Sequence, residues 1–238
     1  MNIANQVALV TGCSRGIGLA LCKALLLRGA RHVYATSRNG GKPAGLDDDR
    51  VTSLRLDVTS EPQVKTVSAL ASDVSLLINN AGIMSIGAAT DITSAQLTSE
   101  FATNCIGLSN VVRNFVPIIE QNGGGAIVNV LSISALASSP GLASYSASKA
   151  AAWSLTQAMQ TSLSQRGIRV FAAFPGPVDT ELARDFAVKK ASAHDVASAI
   201  LDGVEAEDEE IFPDDMARQA AALWSSNPKK LQKQFALL

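Results

Sequence analysis

The stretch that decides the fold is QVALVTGCSRGIGLALCKALLLRG, residues 6–29. A short apolar run leads into a loop with Gly12, Gly16 and Gly18, and a segment with helical spacing of apolar residues follows. Glycines at these positions permit a tight turn, close approach of a phosphate to bare backbone, and close contact between helix and strand. The helix N-terminus directs amide N–H groups at the same place, which favours an anion. The stretch therefore predicts a loop that cradles the pyrophosphate of a dinucleotide, and a glycine-rich turn without a ligand is the alternative.

The rest of the chain repeats this alternation of strand and helix patterns. Apolar runs occupy residues 32–37, 52–57, 74–80, 126–132 and 168–174, and helical periodicity occupies residues 16–29, 60–72, 94–121, 143–166 and 192–204. Continuous apolar runs are typical of parallel strands that helices cover on both faces. Right-handed crossovers wind such a chain into an open, doubly wound sheet with its ligand crevice at the carboxyl ends of the strands. We expect an α/β fold with one domain over residues 1–238, because a chain of this length can bury one large core.

Composition argues against several classes of partner. The chain is 47% hydrophobic and 17% charged, with 20 basic and 21 acidic residues and a formal net charge of -1. This balance favours a small neutral or weakly charged molecule over nucleic acid or an anionic membrane. The apolar runs are too short to cross a bilayer, and the first residues run straight into the glycine loop, so we expect neither a membrane span nor a signal peptide.

The cysteines and histidines are few and scattered. Three cysteines at wide spacing favour reduced thiols in the cytoplasm over a disulfide framework. Cys13 and Cys105 are interpreted as small core residues, although Cys13 lies in the glycine loop. The two histidines have no Cys or carboxylate at ligand spacing, so no metal site is expected.

The end of the second predicted strand indicates which dinucleotide would bind. NAD-binding folds usually place an Asp or Glu there, whereas this chain has Ser37 and Arg38. Arg38 offers a planar cation for a 2′-phosphate, and Arg15 can approach the same phosphate from the glycine loop. Each arginine alone is also consistent with an ordinary surface charge. Together, with the acid missing, they predict a preference for NADP(H) over NAD(H). The candidate contacts of this region are Gly12, Ser14, Arg15, Gly16, Ile17, Gly18, Ser37 and Arg38.

Seven short motifs give the chain its resemblance to the short-chain dehydrogenase/reductase family. They stand in the family's order and spacing over residues 6 to about 204: TGCSRGIG (11–18), LDV (56–58), NNAG (79–82), Asn104, Ser132, YSASK (145–149) and PGPVDT (175–180). The resemblance implies a Rossmann-type sheet of about seven strands in the order 3-2-1-4-5-6-7. It also implies hydride transfer between nicotinamide and the carbon of a carbonyl or alcohol.

The resemblance carries further cofactor contacts onto matching positions. They are Asp57 and Val58 at the adenine, Asn80, Ala81 and Gly82 at the adenosine ribose side, Tyr145 and Lys149 beside the nicotinamide, and Pro175, Gly176, Val178 and Thr180 around the nicotinamide end. For NNAG the alternative is a tight turn that only supports the sheet.

The chemistry of two of these residues can be argued directly. Tyr145 and Lys149 stand four apart in a helical segment, so both project from one face of the helix. A phenol with a pKa of ~10 is a poor acid–base group at neutral pH, and a nearby ammonium favours its phenolate. We therefore expect Lys149 to lower the pKa of Tyr145, which then exchanges a proton with the substrate oxygen. An exposed pair without this role is the alternative.

Two further residues have roles that rest on the resemblance. Ser132 would hydrogen-bond the substrate oxygen, and Ser134, two residues later, is the less well-spaced alternative. Asn104 would hold a water that links Lys149 to solvent, and an ordinary helix asparagine is its alternative.

The chain departs from the family pattern after Thr180. The segment 181–192 that would cover the substrate is short, which predicts an open site. Residues 205–238 diverge and lack the Thr-Gly and Asp-Gly-Gly elements of many tetrameric relatives, which argues against a ketoacyl reductase of fatty-acid synthesis and against a tetramer. Within them we interpret the acidic residues 205–215 and the basic residues 229–233 as solvated faces. A homodimer through helices 94–121 and 143–166 and a monomer are the two expected assemblies.

These observations predict an NADPH-dependent reductase of aldehydes or ketones that runs in reverse as an alcohol dehydrogenase on small molecules. A catalytically idle protein that senses NADP(H) is the alternative, and intact Ser132, Tyr145 and Lys149 argue against it. An epimerase or dehydratase of nucleotide sugars would need a larger substrate domain.

Overall fold

A seven-stranded, all-parallel sheet forms the centre of the molecule, in the order β3-β2-β1-β4-β5-β6-β7. The structure is a computed structural model, and it describes residues 1–237. The strands are β1 (Val7–Thr11), β2 (His32–Ser37), β3 (Val51–Arg55), β4 (Leu76–Asn79), β5 (Gly125–Val130), β6 (Ile168–Ala173) and β7 (Glu210–Ile211). The predicted fold class and strand order are confirmed, and the ends of β1 to β6 lie within two residues of the predicted runs.

Helices connect the strands and cover both faces of the sheet. They are α1 (Gly16–Leu27), α2 (Glu61–Leu70), α3 (Ser94–Phe101), α4 (Leu108–Gln121), α5 (Ala143–Ser164), α6 (Ala193–Ala206), α7 (Asp215–Ser226) and α8 (Pro228–Phe235). Residues 94–121, predicted as one helix, form α3 and α4 with a π-helical turn, Ala102–Gly107, between them. Such turns are rare and occur preferentially at functional sites, and this one carries Asn104.

Two hydrophobic layers hold the helices to the sheet. Successive strand residues point to opposite faces, so Leu9 and Leu77 are buried with α2, α4 and α5, whereas Val10 and Leu76 are buried with α1 and α6. Because both faces are covered, β1 and β4 are buried along their whole length. The strand ends are therefore held rigidly, and the loops that leave them can position functional side chains. No helix within residues 1–237 is long and apolar enough to span a membrane.

The chain after α6 packs back onto this core. β7 pairs with β6, and Ile211 and Asp214 are buried. The interpretation of residues 205–215 as a solvated face is therefore wrong for Ile211 to Asp214, because Ile211 pairs in the sheet and the residues after it pack against the core. Asp214 caps α7 by accepting a hydrogen bond from the Ala217 amide at 2.9 Å. The lysines of residues 229–233 are exposed, as expected, although Leu231 between them is buried.

Candidate active site

One cleft of about 940 Å³ runs along the carboxyl ends of the strands. The structure brings all the predicted cofactor contacts to its wall, together with Ser132: Gly12, Ser14, Arg15, Gly16, Ile17, Gly18, Ser37, Arg38, Asp57, Val58, Asn80, Ala81, Gly82, Tyr145, Lys149, Pro175, Gly176, Val178 and Thr180. Asn104 is buried and does not line the cleft. The residues that line the cleft come from seven separate segments of the chain. The parallel sheet brings these segments together, because the carboxyl ends of its strands lie at one edge.

The glycine loop is shaped for close contact with a ligand. Gly12 and Gly16 have φ of +73° and +58°, in the left-handed region that favours glycine. A Cβ on Gly12 would lie 2.9 Å from the Ala81 Cα, and one on Gly16 would lie 3.0 Å from the Thr180 Cγ2. α1 starts at this loop without a side-chain cap or an acidic residue in its first turn, so its first amides remain available to an anion from the cleft. The loop fits the pyrophosphate of a dinucleotide.

The NNAG segment ties β4 to the glycine loop. The Asn80 side-chain amide donates to the carbonyls of Thr11 at 2.9 Å and Gly12 at 3.1 Å. The amides of Asn80 and Ala81 both donate to the Thr11 hydroxyl at 3.0 Å. The Asn80 side chain thus has a structural role, while the backbone of Ala81 and Gly82 faces the cleft. The structural interpretation of this motif is confirmed, and contact with the adenosine ribose stays a prediction.

The two arginines proposed for a 2′-phosphate have different surroundings. Arg38 is exposed at the end of β2, and no carboxylate within residues 1–237 forms an ion pair with it. The neighbouring Ser37 is buried, and its hydroxyl accepts from the Gly40 amide at 3.1 Å. Arg15 instead pairs with Glu181 at 2.9 Å, on the segment that follows Thr180. Arg38 is therefore without an ion pair within residues 1–237, whereas Arg15 joins the two rims of the cleft. That both arginines contact a 2′-phosphate stays a prediction.

Asp57 is held in its ionised form at the end of β3. Hydrogen bonds from the hydroxyl and the amide of Thr59 lower the pKa of Asp57, and the charge of Arg38 lowers it further. One of its carboxylate oxygens, Oδ1, accepts both hydrogen bonds from Thr59 in the turn that leads to α2.

Ser132, Tyr145 and Lys149 meet where β5 ends and α5 begins. Ser132 follows β5 in an extended conformation, and its hydroxyl accepts from the Ser134 amide at 3.1 Å. The Lys149 Nζ donates to the carbonyl of Val130, the last residue of β5, at 2.9 Å and lies 5.8 Å from the centre of the Tyr145 ring. Ser134 also lines the cleft. Of the two hydroxyls, that of Ser132 lowers the pKa of Tyr145, which favours Ser132 over Ser134.

Burial sets the protonation of this group. It raises the pKa of Tyr145 to about 12. The Ser132 hydroxyl lowers this pKa in part, and the charge of Glu100 raises it further. Burial also lowers the pKa of Lys149 to about 8. The net pKa of Tyr145 in the protein alone is thus raised, because burial penalises the phenolate. That the charge of Lys149 acts to lower this pKa stays a prediction. At neutral pH Tyr145 carries its proton and can donate it.

Asn104 stands on the π-helical turn behind Lys149. Its side-chain amide donates to the Ile83 carbonyl and to the Ser148 hydroxyl, both at 2.9 Å, and its oxygen accepts from the Ile83 amide at 2.9 Å. A Cβ on Gly82 would lie 3.3 Å from that oxygen and 3.6 Å from the Lys149 Nζ. Asn104 therefore holds the segment after NNAG in place. Gly82 has no side chain, so the space beside it is bordered by both the Asn104 oxygen and the Lys149 Nζ.

Sequence reasoning missed two acidic residues of this region. Glu100 on α3 is fully buried, accepts from the Ser85 amide, and has one oxygen without a partner among the described residues. It gives no signal in the sequence, since one acid in a helix is ordinary. Asp214 accepts from the Gly176 amide at 2.7 Å and so holds the PGPVDT segment. The capping pattern of an Asp before a helix is the signal that predicts it.

Comparisons with known proteins agree with the geometry. A family model for short chain dehydrogenase matches residues 6–191. An uncharacterised oxidoreductase of Staphylococcus haemolyticus is 33% identical over 207 residues, which cover 82% of this chain and 89% of that protein. A short-chain dehydrogenase of Burkholderia cenocepacia J2315, solved in complex with NADP, is 36% identical with a TM-score of 0.93 over 99% of both chains.

A second solved structure shares the fold at lower identity. The short-chain dehydrogenase/reductase of Burkholderia phymatum, in complex with NAD, is 24% identical with a TM-score of 0.86 over 98% of this chain and 96% of that one. The strand order, the positions of the motifs and the similarity to these proteins all indicate the same family. The chain belongs to the short-chain dehydrogenase/reductase family of oxidoreductases.

Proposed function

We propose that the protein is an NADP(H)-dependent oxidoreductase that interconverts a small carbonyl compound and its alcohol. The observation that carries the proposal is the convergence of Ser132, Tyr145 and Lys149 in the cleft, with exposed fractions of 8%, 8% and 5%. The bound nicotinamide would accept or supply the hydride. The residues of the glycine loop and of the strand ends would hold it, since their backbone leaves room that a Cβ would fill.

In reduction, Tyr145 donates its proton to the carbonyl oxygen, and the Ser132 hydroxyl hydrogen-bonds that oxygen. Because burial keeps the pKa of Tyr145 at about 12, the phenol is protonated at neutral pH. Lys149, with a pKa of about 8, is mostly protonated at pH 7. Its charge stabilises the Tyr145 phenolate that is left after the proton has been donated. Oxidation of the alcohol needs the phenolate from the start, so we expect alkaline pH to favour that direction.

Arg38 and Ser37 support a preference for NADP(H) over NAD(H). Arg38 stands exposed directly after β2, and β2 itself ends without the Asp or Glu that is usual in NAD-binding folds. The Burkholderia cenocepacia protein, at 36% identity over nearly the whole chain, was solved with NADP. Charge-assisted hydrogen bonds from a guanidinium to a phosphate are strong enough to decide between the two cofactors.

We further propose a homodimer in the cytoplasm. Large apolar side chains are exposed along this part of the chain: Leu97 on α3 at 40%, Ile106 in the π-helical turn at 55%, and Leu155 on α5 at 37%. The free thiols of Cys13, Cys22 and Cys105 suit a reducing compartment. Light scattering on the purified protein distinguishes the dimer from the monomer.

The test of the function is a carbonyl panel with NADPH, run on the native protein and two tyrosine variants. We expect turnover by the native protein, and a loss of about 10²- to 10⁴-fold in Tyr145→Phe with unchanged NADPH affinity. Tyr34→Phe is the matched control, because Tyr34 is the other of two tyrosines and bonds to Asp73 away from the cleft. NADPH binding without turnover of any carbonyl would favour the idle sensing protein instead.

A further inference from the structure

The last two helices form part of the cleft wall. Met216 on α7, Phe235 at the end of α8, and Leu237 line the same cleft as Tyr145. They lie outside residues 6–191, the part that matches the family model. The function proposed above uses none of them.

The position of these helices places them on the substrate side. α7 is attached to Gly176, which follows β6, whereas Arg38 follows β2. Four strand spacings separate β2 from β6 in the sheet order, which is about 19 Å at the usual spacing of neighbouring strands. The C-terminal helices therefore stand at the far end of the cleft from the adenosine site, beside the strand ends that carry Ser132.

This wall is fixed rather than loose. Asp214 joins the start of α7 to the Gly176 amide at 2.7 Å and to the Ala217 amide at 2.9 Å. Phe235 is 5% exposed and belongs to the same hydrophobic layer as Trp153 and Phe174, whose rings meet edge to face at 5.0 Å. A ring held in this way presents a constant shape to the cleft.

Large apolar side chains make up much of the substrate side. Its lining includes Met84, Ile86, Leu142, Phe186, Met216 and Phe235. The cations that line the cleft within residues 1–237 are Arg15, Arg38 and Lys149. Arg15 is paired with Glu181, Arg38 is at the other end, and Lys149 bonds to Val130. A substrate carboxylate or phosphate would therefore meet apolar side chains and the carboxylates of Glu181 and Asp185.

We propose that Phe235 and Met216 determine substrate specificity and that the substrate is an uncharged aldehyde or ketone with an apolar substituent. This inference rests on the proposed function, since it assigns the substrate class of the same site. The ring of Phe235 limits the size of the substituent, and the absence of an unpaired cation on this side of the described chain disfavours anionic carbonyl compounds.

The experiment compares three ketones with NADPH: acetophenone, its larger relative butyrophenone, and 4-acetylbenzoate, which adds a negative charge. For the native enzyme we expect kcat/KM for acetophenone to exceed that for 4-acetylbenzoate by about 10-fold or more. In Phe235→Ala the ratio of butyrophenone to acetophenone should rise by about 10-fold, with unchanged KM for NADPH. Phe235→Leu, which disturbs the hydrophobic layer less, should shift the ratio in the same direction.

Phe212→Ala is the matched control. Phe212 lies in the same C-terminal segment and stacks on Phe174 at 5.1 Å, but it does not line the cleft. Its loss should leave the substrate ratio unchanged even where it lowers stability. Turnover with a ratio that Phe235→Ala and Phe235→Leu do not shift, or a native preference for 4-acetylbenzoate, would overturn the inference alone. Absence of turnover with every carbonyl would remove the proposed function and this inference with it.

Discussion

The two sides of the cleft are built in different ways. The cofactor side, at the ends of β1, β2 and β4, depends on backbone conformation, with Gly12 and Gly16 at positive φ in the wall of the cleft. The substrate side is largely side chain, and it draws on Met84, Phe186 and Phe235 from distant parts of the sequence. A backbone cradle needs particular residues at particular positions, whereas an apolar wall needs only volume, which many residues supply.

This difference has a measurable consequence. A change on the cofactor side should lower cofactor affinity and reduce turnover of every substrate by the same factor. A change on the substrate side should alter the ratio between substrates and leave cofactor affinity intact. Lys149 stands between the two sides and should affect the reaction itself.

The largest effect is expected from Lys149→Met. Loss of the charge beside Tyr145 should lower turnover by about 10²- to 10⁴-fold for all carbonyl compounds. Arg166→Met, far from the cleft on an exposed ion pair with Glu120, is the control and should retain activity. Steady-state kinetics with NADPH measure both, and a loss confined to one substrate would place Lys149 on the substrate side instead.

The same variant tests the burial of Lys149 through stability. Its pKa is about 8 in the folded protein, against an ordinary value of 10.5. Below pH 8 Lys149 is protonated in both the folded and the unfolded protein, so burial of its charge lowers the stability of the native protein by the full amount. As pH rises from 8 to 10.5 the unfolded chain binds more protons, so the native protein gains stability and the variant does not.

The difference in unfolding free energy between variant and native should thus shift by about 3 kcal/mol in favour of the native protein between pH 7 and pH 10.5. Urea unfolding at the two pH values measures this shift. A difference that is the same at both would contradict the lowered pKa.

A smaller effect is expected from Gly12→Ala on the cofactor side. The alanine would meet the Ala81 Cα at 2.9 Å at a φ of +73°, so the loop must move and NADPH affinity should fall by about 10²-fold. Gly123→Ala is the matched control, because Gly123 has a φ of +90° but no atom within 4 Å of its Cβ position. Fluorescence titration with NADPH separates them, and equal losses in both would show that strain alone matters.

The smallest effect is expected from Arg38→Asp. It should weaken NADPH relative to NADH by about 10- to 100-fold, since a charged hydrogen bond to the 2′-phosphate is lost and a repulsion is added. Arg31→Asp, an exposed arginine at the other end of β2, should leave the preference unchanged. Titration with both cofactors gives the ratio, and an unchanged ratio in Arg38→Asp would refute the assignment.

The fold was largely predictable because most of its elements carry a local pattern. β1, β4, β5 and β6 are largely apolar runs, and the glycine loop has its own spacing. β7 has two residues, too few to show a period. The π-helical turn is not predictable from sequence spacing. It continues the helices on either side, with Phe101 and Leu108 at ordinary right-handed helical angles. Only its hydrogen bonding distinguishes it from an α-helix.

The candidate site was predictable in its membership and less so in its electrostatics. Tyr145 and Lys149 were placed on one helix face from their spacing alone. Their pKa values follow from burial, and no spacing rule reports burial. The ion pair of Arg15 with Glu181 is not predictable from spacing, because the two residues lie 166 positions apart in the chain.

By itself, the sequence determined the parallel sheet, the glycine loop and the set of residues that meet in the cleft, because each depends on spacing or on the conformation of a few adjacent residues. Only the tertiary structure decided the proton affinities of Tyr145 and Lys149, the partner of Arg15, and the use of α7 and α8 as a wall. Those properties depend on exclusion of water and on contacts between distant segments, which exist only once the chain is packed.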